Sequence, residues 1–288
     1  MPFRGIRPIW DQLILYGTNS DDFLVANGTI RILHGLGGDD VLVAKEAGTF
    51  LNGGSGDDTL VSGLGADTID GGSGSDTVSY AGGFFGPDLS LIQSGAVTVN
   101  LMSGTGSGGF AEGDVLTGIE NVRGSNFDDI LIGNNNDNRL LGGSGADTLL
   151  GMDGDDYIVG GGNVLFGEGD FLSGGAGADT FAFSMRGDSG GGQAVDFIAD
   201  FGDGDDRIAL FAEQKAIFDD FLFLGEASGF SSFFLNEVRY THDADSTHGA
   251  VTNVHARVFH TDLSYDTVSI MLDGHLALTA SDFEFDFV

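Results

Sequence analysis

Residues 53–79 read GGSGDDTLVSGLGADTIDGGSGSDTVS, which divides into three nonapeptides, GGSGDDTLV, SGLGADTID and GGSGSDTVS, with glycine, acid and aliphatic residues in the same columns. Glycines at the first, second and fourth places permit φ > 0 and a tight turn whose carbonyls point inward. The last three residues, x-U-x with U a large apolar side chain, form a short strand with U directed to one side and its neighbours to the other. Two nonapeptides then make one flattened coil, a turn at each edge and the U side chains filling the space between two parallel sheets. A glycine- and acid-rich linker has no reason to keep an aliphatic column in register, so the periodicity speaks for a fold.

The frame extends backwards to HGLGGDDVL at 34–42 and, degenerately, to YGTNSDDFL at 16–24. Between them VANGTIRIL keeps the aliphatic column and loses the acid; the frame is expected to slip by one residue after 43 and to stop at Tyr80. A second array starts at RGSNFDDIL (123–131), passes through NNNDNRLL, GGSGADTLL (142–150) and GMDGDDYIV (151–159), breaks at GGGNV, and recovers in LFGEGDFLS and GGAGADTFA (174–182).

The acid at the sixth place closes each turn, and coils stacked about 4.8 Å apart bring it near the acid two repeats along. Carboxylate and carbonyl oxygens suit a hard cation with six or more ligands, which favours Ca²⁺, several ions in all, over transition metals. The expected metal-site acids are Asp21, Asp39, Asp58, Asp67, Asp76, Asp128, Asp147, Asp156, Asp170 and Asp179, with Asn138 in the same column. The expected turn glycines are Gly54, Gly56, Gly63, Gly65, Gly72, Gly74, Gly143, Gly145, Gly154, Gly175 and Gly177. The frame pairs Asp21 with Asp39, Asp39 with Asp58, Asp58 with Asp76, Asp128 with Asp147, and Asn138 with Asp156. Asp67 is expected to have a poor partner, because 43–51 lacks an acid in that column. Across the break at 160–164 the pairing of Asp156, Asp170 and Asp179 is left open.

Composition agrees. The 288 residues carry a formal charge of −33, and 36 of the 44 acidic residues are Asp, with only 11 Lys and Arg to offset them. Nucleic acid is an unfavourable partner for such a chain, whereas divalent cations are a favourable one. The sequence has no Cys, so disulfides and thiolate sites are out. MPFRGIRPIWDQLILYG does not read as a Sec signal peptide, and no stretch approaches ~20 apolar residues, so no membrane insertion is expected.

The line G-G-x-G-x-D-x-U-x resembles the RTX, or hemolysin-type calcium-binding repeat, family of type I secreted bacterial proteins. Residues 78–129 resemble the spacer between repeat arrays in that family. GGAGADTFAFS, VDFIADFGDGDDRIAL and the ending HLALTASDFEF resemble the C-terminal domain that follows the repeats in serralysin-type proteins. The resemblance implies a secreted, extracellular protein exported by an ABC transporter, with the uncleaved signal in Asp282, Phe283, Phe285, Asp286, Phe287 and Val288. The H-E-x-x-H motif of the serralysin protease and the G-x-S-x-G elbow of lipases are both absent from the sequence, so no enzyme activity is expected.

The expected fold is all-β: a right-handed parallel β-roll, or β-helix, in two arrays. Residues 1–15 form an N-terminal cap, with Trp10, Ile9, Leu13 and Leu15 closing that end; 16–79 are the first array, 80–122 a β spacer, 123–182 the second array, and 183–288 a β-rich C-terminal capping domain. Fifteen of the 24 Phe lie beyond residue 180, more simply a sealing core than a binding surface. His242, His248, His255 and His260, with Asp243 and Asp245, read as solvated hairpin residues rather than a metal site. GDGDD at 202–206 fits either a Ca²⁺ loop or a turn between strands. The expected function is calcium binding that drives folding after type I secretion. The alternative is a Ca²⁺-dependent surface or adhesion component, or a carbohydrate-binding accessory of a polysaccharide-modifying enzyme, with a polysaccharide or cell-surface partner.

Overall fold

The structure, a computed structural model, describes residues 7–9, 12–82, 95–162, 169–184, 195–202, 205–212, 221–226, 236–245, 249–259, 265–274 and 276–287. Trp10, His248, His260 and Val288 therefore lie outside the described residues. For the strands at 221–226 and 285–287, among others, the backbone alone is described. Among the described residues there is no α-helix, only two short 3-10 turns at Gly109–Ala111 and Ala280–Asp282. The chain divides into two compact units, Met1–Leu140 and Leu141–Val288.

In the first unit the chain alternates between two sheets, as the nonapeptide pattern requires. Gln12–Tyr16, Ile30–His34, Phe50–Ser55 and Thr68–Ser73 pair in succession, all parallel, in one sheet. Phe23–Val25, Val41–Val43, Thr59–Val61 and Thr77–Ser79 do the same in the other. Leu33 lies beside Leu51 and Leu51 beside Ile69, while Leu42 lies beside Leu60 and Leu60 beside Val78, so each step is 18 residues. All six of these side chains are fully buried. Each contributes about 2 kcal/mol of transfer free energy, which offsets the entropy of ordering a glycine-rich chain.

The 18-residue step corrects the expected frame. Leu42, not Val41, is the inward aliphatic of its repeat, and no slip occurs after 43. The acid two places before the buried aliphatic is then Asp40 rather than Asp39, and by the same rule Asp22 before Leu24 and Asp129 before Leu131.

The spacer is built into the stack rather than hung beside it. Val115–Thr117 extends the first sheet in parallel from Thr68–Ser73, and Asn121–Arg123 extends the second from Thr77–Ser79, with Val122 against Val78. Thr105–Ser107 runs antiparallel between Val115–Thr117 and Thr98–Asn100, and the last of these pairs in parallel with Ile130–Ile132.

In the second unit Thr148–Asp153, Phe171–Ala176 and Asp196–Ile198 stack in parallel, followed by Tyr265–Asp273. That strand opens an antiparallel meander through Gly249–Phe259 to Asn236–Asp245. A second ladder runs from Tyr157–Gly162 through Thr180–Ser184 and Arg207–Ala212 to Phe283–Phe287, near the end of the chain. The pattern of alternating Phe and acid over 283–287 thus forms a sheet strand, with Phe283 beside Ile208 and buried.

Candidate calcium-binding turns

Every coil of the first unit has two edges. The first edge carries the turns at 17–22, 35–40, 53–58, 71–76 and 118–120; the second carries those at 26–29, 44–49, 62–67 and 111–114.

On the first edge two rows of acids climb the stack in opposite directions. The inner row is Asp22, Asp40, Asp58, Asp76 and Glu120. The backbone N–H of Asp22 donates to Asp40 Oδ1 (2.7 Å), that of Asp40 to Asp58 Oδ1 (2.8 Å), that of Asp58 to Asp76 Oδ1 (2.8 Å), and that of Asp76 to Glu120 Oε2 (2.9 Å). The outer row is Asp21, Asp39 and Asp57, exposed, each carboxylate accepting from the next coil: the N–H groups of Asp39, Asp57 and Ser75 donate to Asp21, Asp39 and Asp57 at 2.9 Å. Asp21 and Asp39, expected inside, therefore stand in the outer row, and Asp128 is likewise exposed beside the buried Asp129. In an Asp-Asp doublet both residues suit the glycine spacing, and alternation along extended chain turns one in and the other out.

The second oxygen of the inner carboxylates defines a hollow. Oδ2 of Asp40, Asp58 and Asp76 is buried and accepts no hydrogen bond. A Cβ placed on Gly53 would lie 2.6 Å from the carbonyl oxygen of Gly71 and closer still to Asp58 Oδ2. The same pairing recurs at Gly35, between Asp40 Oδ2 and the Gly53 carbonyl, and at Gly71, between Asp76 Oδ2 and the Gly118 carbonyl. Glycine is required here because the space belongs to the two oxygens. The turn also relies on Gly54, which has a φ of 119° and where a Cβ would lie 2.5 Å from the Leu36 carbonyl oxygen. All the expected turn glycines except Gly63 have positive φ, while Leu36 and Met152 hold φ of 84° and 93° at the place Gly54 takes in its own turn.

Two acceptors that face one another without a donor need a proton or a cation between them. Burial pushes the Asp40 and Asp76 carboxyls up to about 6 and raises Asp58 as well, with further contributions from neighbouring acids and an opposing one from the ladder N–H. No three acid or imidazole side chains converge among the described residues. An ion at such a hollow thus takes most of its oxygens from backbone carbonyls, which Ca²⁺ accepts and softer metals do not. The residues present fit that ion.

The second unit repeats the arrangement. Asp147 Oδ2 meets the Gly160 carbonyl beside Gly142, and Asp156 Oδ2 meets the Gly174 carbonyl beside Gly151. Across the break Asp156 pairs with Asp179, and Asp170 pairs with Asp147, for which the frame offered only Asp128; each N–H meets Oδ1 at 2.8 Å. The step of 23 residues absorbs five inserted ones. The rows continue to Asp196 (2.9 Å from the Asp170 nitrogen) and Asp206 (3.0 Å from that of Asp179). Asp206, the last residue of GDGDD, thus joins the ladder, with Gly202 N–H donating to its Oδ2 at 2.8 Å, while residues 203–204 lie outside the described residues.

The second edge of the first unit is different chemistry. Its column reads Arg31, Thr49, Asp67, Asp114. Asp67 accepts from Thr49 N–H on one side (2.7 Å), and its own N–H donates to Asp114 Oδ1 on the other (2.7 Å). Asp114 is thus a partner that the nonapeptide frame did not contain. The Ser62 hydroxyl lies 2.8 Å from Asp114 Oδ2 and 3.3 Å from Asp67 Oδ2, and Tyr80 donates to Asp114 Oδ2 at 3.2 Å. Arg31 reaches the turn at 44–49, donating to the Ala47 carbonyl and pairing with Glu46 at 3.0 Å.

Of the remaining candidates, His242 contacts Thr252 Oγ1 and His255 contacts Ser269 Oγ. The antiparallel register sets His242 opposite Thr252 and His255 opposite Arg239, which puts the two imidazoles on opposite faces.

The RTX calcium-binding nonapeptide-repeat family matches this chain in four copies, over residues 49–84, 115–149, 132–163 and 166–182. Among solved structures, the AlgE6R3 subunit of the Azotobacter vinelandii mannuronan C5-epimerase is 31% identical, covering 55% of this chain and 78% of that one, with a TM-score of 0.36. The extracellular lipase LipA of Serratia marcescens is 16% identical, covering 95% of this chain and 40% of the lipase, with a TM-score of 0.33. No curated protein matches the chain. The four matched repeats, laid on turns whose buried carboxylates face carbonyl oxygens, make this chain a member of the RTX calcium-binding nonapeptide-repeat proteins, with several Ca²⁺ ions as its cofactors.

Proposed function

We propose that this protein is a type I secretion substrate that stays unfolded in the cytosol and folds outside the cell when Ca²⁺ fills its glycine turns. The observation that carries the reading is the repeated hollow of the first edge, where Asp40, Asp58 and Asp76 each turn a buried oxygen without a hydrogen bond toward a carbonyl. At neutral pH and sub-micromolar Ca²⁺ those carboxylates repel, and a net charge of −33 keeps the chain expanded. At millimolar Ca²⁺, with affinities of about 10⁻⁴ to 10⁻³ M, the sites fill. Each then adds about 1.4 kcal/mol at ten times its Kd, so several together decide the folding equilibrium.

Residues 16–79 and 123–182 hold the ions in this reading, and 183–288 carry the export signal, ending in Asp282, Phe283, Phe285, Asp286, Phe287 and Val288. Phe283–Phe287 is a paired strand once folded, so a transporter reads it before folding. No catalysis is assigned to the chain, and the separate faces of His242 and His255 support that. Circular dichroism should show mostly coil in EDTA and β structure on millimolar CaCl₂, with much less on MgCl₂; an unchanged spectrum across the titration defeats the reading. Residues 183–288 fused to a slow-folding passenger should reach the medium through a matching transporter, and removing 286–288 should reduce export without moving the Ca²⁺ midpoint.

A further inference from the structure

The inner carboxylates fall into two groups that the repeat pattern does not distinguish. Asp40, Asp58 and Asp76 follow glycine turns and have a buried oxygen without a donor. Asp22 stands in the same column and makes the same ladder bond, yet its Oδ2 accepts both the backbone N–H (2.6 Å) and the hydroxyl (2.8 Å) of Thr18. Two donors fill the lone pairs of that oxygen. The hollow beside Gly17, between Asp22 Oδ2 and the Gly35 carbonyl, is therefore already neutralised from within the turn.

Asp129 repeats the arrangement. Its Oδ2 accepts Ser125 N–H (2.5 Å), and its Oδ1 accepts the Ser125 hydroxyl (2.9 Å) and Val97 N–H (2.7 Å). In the turn that follows, Asn138 Oδ1 accepts Asn134 N–H (2.7 Å), while its amide donates to the Glu120 carbonyl (2.9 Å), a contact that replaces a facing pair of acceptors by a donor and an acceptor.

The cause is one residue, four places before the acid. In the glycine turns the peptide there points the other way: Leu36 has φ of 84° and gives its N–H to the Gly53 carbonyl of the next coil at 2.9 Å, so it is not available to Asp40. In the Thr18, Ser125 and Asn134 turns that N–H points at the acid of its own turn, and at Thr18 and Ser125 a hydroxyl adds a second donor.

We infer that the turns 17–22, 124–129 and 133–138 close without a metal ion, and that each array therefore starts from a coil edge that is ordered before calcium arrives. This rests on the reading that the glycine turns take Ca²⁺. The first turn of each array carries its own donors, and Asp22 then offers a fixed N–H to Asp40 Oδ1. Loading of the neighbouring hollow adds to a coil already formed, which removes part of the nucleation cost of stacking.

The test is the number of Ca²⁺ ions bound by the full chain, read by calorimetric titration with CaCl₂, together with amide exchange in EDTA. Asp22→Asn and Asp129→Asn should leave the count unchanged, whereas Asp58→Asn should lower it by at least one. Thr18→Gly with Ser20→Gly, which rewrites the turn as GGNGDD, should raise the count by one. In EDTA the amides of Thr18 and Ser125 should exchange at least tenfold more slowly than those of Asp40 and Asp58. A lost ion in Asp22→Asn, or equal exchange at Thr18 and Asp40, overturns the inference while leaving calcium binding intact. Binding of no Ca²⁺ by the unaltered chain defeats the calcium reading instead, and the exchange of Thr18 and Ser125 still decides whether those turns stand alone.

Discussion

The two edges of the first unit belong to the same coils and bury carboxylates to the same extent, yet they are neutralised by different means. On the first edge Asp40, Asp58 and Asp76 rely on a group from outside the chain. On the second, Asp67 and Asp114 are served by Thr49, Ser62 and Tyr80, and the turn at 44–49 by the Arg31 guanidinium. A carboxylate in a thin β stack can be satisfied by a cation or by hydroxyl and amide donors. Which one applies depends on whether the turn residues carry donors or are glycines that make room for an ion. The first edge is thereby made responsive to a cation, whereas the second supplies its own donors, although burial raises Asp67 to about 6 and lifts Asp114 as well.

The largest expected effect comes from pH, which acts on both edges because burial lifts Asp67 to about 6 as well; only on the first edge does it compete with a cation. Asp40 and Asp76 sit near 6 against 3.8 for a free carboxyl, chiefly through burial. Because the folded chain binds these protons more tightly, metal-free stability is greatest below about pH 4 and falls as pH rises through 6, by at most roughly 3 kcal/mol per carboxyl. In EDTA, β structure seen by circular dichroism should thus increase as pH drops from 7 to 5. The Ca²⁺ midpoint should rise over the same interval, by up to about tenfold per pH unit for a site with one titrating carboxyl.

Next in size, Asp67→Ala removes the acceptor for the buried Thr49 N–H and should lower the urea midpoint in saturating Ca²⁺ by an amount worth about 2 kcal/mol. It should alter Ca²⁺ affinity less than Asp58→Ala does; equal effects on affinity would mean that the second edge binds an ion like the first.

Asp58→Asn sharpens the comparison by its sign. With EDTA it relieves a buried charge, so residual β structure should grow; with millimolar Ca²⁺ it loses an ion worth about 1.4 kcal/mol at ten times Kd. A change in one direction under both conditions would contradict the ion-dependent first edge. The smallest effect belongs to Arg31→Ala, about 0.5 kcal/mol, because its partner Glu46 is half exposed at 52%. Thermal melts should show that difference shrinking in 0.5 M NaCl, where the Debye length falls to roughly 4 Å.

Much of this was legible in the sequence. The column of Leu33, Leu51 and Ile69 follows from an aliphatic every 18 residues, and the sheet strand at 283–287 from its alternation. Glycine spacing tolerates Asp39 and Asp40 alike; the aliphatic two places after Asp40, Leu42, distinguishes them once its burial is known. The nonapeptide frame does not contain Asp114 and Asp196, and it leaves Asp206, inside GDGDD, between a Ca²⁺ loop and a plain turn. Each still has an aliphatic two residues later, Leu116, Ile198 and Ile208, which is the signal that would have found them. Glu120 carries the same mark, Val122, but stands where the column otherwise holds Asp, and it reaches Asp76 because the spacer returns to the stack 44 residues on.

The sequence by itself determined the period, the two-sheet coil, the buried aliphatic column and the acid-for-cation chemistry, since all of these depend on residues within one or two repeats. Tertiary structure alone decided which oxygen of which acid meets a donor. That depends on the direction of a single peptide four residues earlier, as at Thr18 and Leu36, and on strands brought in from elsewhere, as at Asp114. Partners such as Asp114 are set by stacking between coils, on which local sequence places no constraint, whereas Thr18 and Ser125 lie within the turns they close.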